Sequence, residues 1–119
     1  MFLDNKYTKW YFSLVNKAKE RNWDKKTALD YVEKHHIIPK SFGGDNSKDN
    51  LVCFTAREHF IAHILLVKMT EGKNKRGMAC AISKMMYQAN EYQKRYKNSK
   101  MFDIGRKELA LAMTGEHNP

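Results

Sequence analysis

The sequence predicts a small α+β domain in which helix dominates: a two-stranded antiparallel hairpin followed by a helix, with further helices flanking it. Three observations predict this. Apolar residues recur at helical spacing near the N-terminus and again beyond residues 55 and 76. Two short strand-like runs, at 31–38 and 51–54, bracket a loop rich in Gly, Asp, Asn and Ser. A chain of 119 residues has room for one domain and one modest core.

Each element follows from local chemistry. From Tyr7 to about Lys19 the stripe Trp10, Tyr11, Leu14, Val15 and Ala18 runs along a Lys-rich helix. Residues 21–30 form a polar connection. Tyr31 to Ile38 is a strand stopped by Pro39, which has no N–H to give a ladder. Lys40 to Asp49 holds Gly43-Gly44-Asp45-Asn46-Ser47 and is a loop, and Leu51 to Phe54 is the returning strand. Thr55-Ala56-Arg57-Glu58 has the capping-box form, so a helix starts there and runs to about Thr70. Gly72 and the charged Lys73 to Arg76 break the pattern. A second long helix is predicted over about Arg76 to Tyr92, with Met78, Ile82, Met85, Met86 and Ala89 inward, and a last one within 100–113.

Composition narrows the function. No apolar run reaches the length a membrane span requires, and the first residues lack the apolar core of a secretory signal. Cys53 and Cys80 belong to no CxxC pair, which argues against a disulfide framework and points to a reducing, cytoplasmic setting. The net charge of +9 is uneven. Residues 1–30 carry 7 Lys/Arg against 4 Asp/Glu, residues 31–72 carry 5 against 5, and residues 73–119 carry 10 against 4. Basic flanks would draw a polyanion and leave the balanced centre for something more specific.

That centre holds four of the five histidines. His35 and His36 are adjacent at the end of the first strand, and His59 and His63 are spaced i, i+4 on the capped helix. The latter spacing puts two imidazoles on one helix face, as a shared metal ion requires. A lone histidine at either place is more often a hydrogen-bonded surface or core residue. His63 sits within Phe60-Ile61-Ala62-His63-Ile64-Leu65-Leu66-Val67, where a buried imidazole needs a partner: a metal, a carboxylate or a carbonyl. Asn50, at the end of the loop, can donate and accept at once and so pin the loop; an ordinary turn Asn has the same signature.

The run His35-His36-Ile37-Ile38-Pro39, then Gly43-Gly44, Asn50-Leu51-Val52, His59 and His63, resembles the HNH endonuclease signature. The resemblance covers residues 33–69. The doubled histidine with an i, i+4 pair is similar to the nuclease domains of DNase colicins. The wider layout resembles phage-encoded HNH enzymes of the free-standing or homing kind. It implies a ββα-metal core over about 31–70 within a single domain of residues 1–113, and cytoplasmic action in a bacterial host on double-stranded DNA. Residues 114–119 are similar to the opening of a modular DNA-binding motif, inside which the chain would stop. No membrane partner is expected, and a homodimer is left open.

Carried over residue by residue, the resemblance implies that His36 is the general base and that Asn50 aims it. His35, His59 and His63 would hold one divalent metal ion. Many HNH proteins have aspartate where this chain has His35; three imidazoles favour Zn, Ni, Co or Mn over Mg. Consecutive strand residues point to opposite faces, so His35 and His36 can both reach the site only if the strand ends there. Lys40, Arg57, Lys94, Arg95 and Lys97 are candidates for phosphate contacts. The competing readings are a DNA-binding module with a structural zinc and no catalysis, and a toxin-type nuclease held by an immunity partner.

Overall fold

Asn5 starts the first helix. Its side-chain oxygen accepts from the N–H groups of Tyr7 and Thr8 at 3.0 and 3.1 Å, and α1 runs Lys6–Arg21. Asn22 ends it in the left-handed conformation, φ 52°. The buried face is Tyr11, Val15 and Ala18, spaced i, i+4, i+7. Trp10, expected on that stripe, is 53 % exposed and meets Tyr7 edge-on instead.

In the computed structural model the described residues are 2–26, 28 and 32–87, without the side chains of 85–87. The helix predicted within 100–113, the residues beyond it, the inward Ala89 and the cluster Lys94, Arg95 and Lys97 lie outside them. Among the described residues no helix is long and apolar enough to cross a membrane.

Strands β1 (Glu33–His36) and β2 (Leu51–Phe54) form the antiparallel hairpin, with His35 opposite Val52 and His36 opposite Leu51. β1 ends two residues before the predicted Ile38, and Tyr31, at the predicted start, lies outside the described residues. Ile37 N–H still reaches the carbonyl of Asn50, but Ile38 N–H goes to the Asn50 side chain, so ladder pairing stops at His36. Between the strands lie two short 3-10 turns, Lys40–Phe42 and Lys48–Asn50. Gly44 crosses so close to β1 that a Cβ there would fall on the carbonyl of Ile38.

Helix α2 (Ala56–Lys68) opens on the predicted capping box. Thr55 Oγ1 accepts from Glu58 N–H at 3.2 Å, and Glu58 accepts from Thr55 N–H at 2.9 Å. The Arg21 guanidinium donates to both oxygens of Glu58, at 2.9 and 2.8 Å, and to the carbonyl of Cys53 at 3.1 Å. One side chain therefore ties the end of α1, the end of β2 and the start of α2 together. Helix α3 spans Gly72–Tyr87 and begins four residues earlier than predicted. Lysine and arginine are good helix formers, and Lys73 and Arg76 are exposed in its first turns.

α2 is the central element and packs on α1, α3 and both strands. Phe60, Leu66, Val67 and Met69 from α2 and its end meet Tyr11, Val15, Phe54 and Ile82 in the core. Each large apolar side chain so buried contributes about 1.5–3 kcal/mol.

Candidate active site

Strand alternation sorts the hairpin's polar residues. Glu33 and His35 share the face turned to α2, while Lys34 and His36 project from the other. His35 is 3 % exposed, with its ring centroid 5.1 Å from that of His59 and 5.2 Å from that of His63. His59 and His63, one helical turn apart, lie 4.9 Å from each other. Each of the three offers a ligand nitrogen, and these atoms lie within 4.8 Å of one another. Strand and helix thus bring together the three histidines expected to share a metal.

Each imidazole has a distinct environment. His35 Nε2 is 2.7 Å from the Tyr11 hydroxyl, which also donates to the carbonyl of Ile37 at 2.7 Å. His59 Nδ1 is 2.7 Å from a carboxylate oxygen of Glu33. His63 is partly exposed as a residue, but its Nδ1 is buried and has no hydrogen-bond partner. Burial, and then the neighbouring His59, push the pKa of His63 down to about 3. Burial likewise holds His35 well below the usual range, helped by His63, His59 and His36. Neutral imidazoles with available lone pairs are what a divalent ion needs. The orphaned His63 nitrogen and the all-nitrogen donor set fit one.

These buried imidazoles make the metal-free fold acid-sensitive. Both groups are neutral when folded but titrate near 6.5 in an unfolded chain. As pH falls below about 6.5 the unfolded state therefore binds more protons, and stability drops until His63 itself protonates near 3. The slope approaches about 1.4 kcal/mol per pH unit for each group. Melting of chelated protein is expected to fall steeply between pH 7 and pH 5; a flat profile there would mean that neither ring is neutral by burial.

His36 lies at the mouth of the same site. An open cleft of about 330 Å³ is lined by Lys34, His35, His36, Lys40, His59 and His63, with Met78 and Ala81 of α3 among its apolar wall. The expected tension between neighbouring strand residues is resolved as β1 ends: His35 faces inward and His36 meets the cleft from its edge. His36 Nε2 is 2.7 Å from Asn46 Oδ1. Asn50 accepts from Ile38 N–H at 2.8 Å and donates to the carbonyls of Ile38 at 3.1 Å and Asp45 at 2.9 Å, closing the loop behind His36. Lys40 is exposed at the cleft, whereas Arg57 is exposed on α2 outside its lining.

Sequence reasoning missed Tyr11, Glu33 and Asn46. Glu33 carried a signal, since it stands two residues before His35 and so on the same strand face. Asn46 was seen only as a loop residue, and Tyr11 only as part of an apolar stripe.

No protein-family model matches the chain, and no solved structure matches it. Curated phage proteins do. The chain is 57 % identical over 63 residues to "Probable mobile endonuclease D" of Enterobacteria phage T4, a match covering 53 % of this chain and 24 % of that protein. It is 48 % identical over 63 residues to "Probable mobile endonuclease E" of the same phage, 53 % of this chain and 42 % of the relative. With "Probable mobile endonuclease B" it shares 40 % identity over 84 residues, 71 % of this chain and 31 % of the relative. The chain spans between about a quarter and two-fifths of the length of these three relatives.

Proposed function

We propose that this chain is the cleaving domain of a metal-dependent DNA endonuclease of the HNH kind, acting inside a bacterial host. The observation that carries the reading is the convergence of His35, His59 and His63 on one point, with a fourth imidazole, His36, at the edge of the same open cleft. The names of the phage relatives support an endonuclease. The openness of the cleft also favours catalysis over a structural zinc, which closes its shell with four protein ligands.

In this reading His35, His59 and His63 hold one divalent ion, with Glu33 orienting His59 from behind. When bound, the ion supplies Lewis acidity that offsets charge building on the scissile phosphate. His36 takes a proton from the attacking water; the water oxygen bonds to phosphorus as the bond to the 3′ oxygen breaks. Asn46, accepting at His36 Nε2, leaves Nδ1 as the basic atom. Asn50 holds the loop that presents Asn46. Lys40, exposed beside His36, meets a backbone phosphate, and Arg57, Lys94, Arg95 and Lys97 extend the contact along the duplex.

A plasmid-relaxation assay with Zn, Mn, Ni, Co and Mg tests this. Nicking or linearisation that a chelator abolishes and added metal restores is the expected result. Tight DNA binding without cleavage under every metal would favour the zinc-stabilised binding module instead.

A further inference from the structure

Tyr11 is the largest polar side chain in the core, 0 % exposed, yet it comes from α1, outside the hairpin and helix that carry the histidines. A phenol carries a single proton at neutral pH. That proton goes to the carbonyl of Ile37 at 2.7 Å, because a carbonyl can only accept. Toward His35 Nε2, also at 2.7 Å, the phenol oxygen is then left to accept. Nε2 must supply the hydrogen, and a neutral imidazole has only one.

We propose that Tyr11 is a positioning residue that fixes His35 in its Nε2–H tautomer, so that Nδ1 is the atom His35 offers to a divalent metal. The proposal rests on the metal centre inferred above. His59 is set the opposite way. Glu33 faces its Nδ1 at 2.7 Å and draws the ring proton there, leaving Nε2 for the metal. Two ligands of one centre therefore present different ring nitrogens, each chosen by its partner behind. The same phenol also grips the carbonyl just past His36, so α1 restrains the strand end that carries the base.

The test uses 15N-labelled, metal-free protein and long-range proton–nitrogen correlation of the His35 ring. The expected wild-type spectrum shows Nε2 protonated and Nδ1 bearing the lone pair. In Tyr11→Phe, whose folding is checked by melting, a mixture of tautomers is expected. Calorimetric affinity for Zn or Co should fall by about 10–100-fold. If Tyr11→Phe does not fold, the wild-type spectrum alone decides, since an Nδ1–H tautomer overturns the proposal. A single Nε2–H tautomer with undiminished affinity in Tyr11→Phe overturns it too. A wild-type protein with the expected tautomer that binds no divalent ion would overturn the metal centre itself, so the two failures are distinguishable.

Discussion

Replacing His36 by alanine is expected to slow DNA cleavage by about 10²–10⁴-fold, the usual contribution of a positioned general base. The effect should be confined to chemistry. His36 is partly exposed, and its ring nitrogen bonds the exposed Asn46 rather than anything in the core. Its neighbour His35, and not His36, shares the histidine cluster with His59 and His63. Bound metal and DNA affinity should therefore stay close to wild type while single-turnover cleavage collapses. Metal lost from His36→Ala along with activity would mean that the base and a ligand have been exchanged in this account.

Removing the metal from wild-type protein should lower its melting temperature by roughly 10 °C at a hundredfold excess of ion over Kd. In the proposed reading the ion would bind the assembled triad and not the unfolded chain, so binding free energy would become folding free energy. His63→Leu is expected to erase most of that difference. Without metal the same variant should melt no lower than wild type, because leucine removes a buried nitrogen that has no partner. Equal chelation effects in both proteins, read by thermal scans in parallel, would reduce His63 to a core histidine and leave His35 and His59 as the ligands.

What could be read from the sequence was what local spacing decides. The Thr55–Glu58 capping box is a four-residue device, and it placed the start of α2 and hence the phase of His59 and His63. The i, i+4 interval and the hairpin between residues 33 and 54 then brought His35 to the same point. Asn50 has the spacing of an ordinary turn Asn and stands out only through the family resemblance; it makes three loop-closing bonds. Illegible were contacts between residues far apart in the chain. Tyr11 meets His35 across 24 positions and Arg21 meets Glu58 across 37, and nothing in either local pattern marks a partner. The early start of α3 was hidden differently. Consecutive positive charges beside the partial positive charge of a helix N-terminus are unfavourable, yet α3 starts at Gly72, ahead of Lys73, Lys75 and Arg76.

In the proposed reading, three imidazoles from strand and helix hold one ion. Native mass spectrometry of protein stripped by chelation and reloaded with Zn or Co measures this directly. The expected spectrum shows one ion per chain in wild type and in His36→Ala, and none in a variant carrying His35→Ala and His59→Ala together. A wild-type chain that stays free of metal, or a double variant that keeps its ion, would contradict the account.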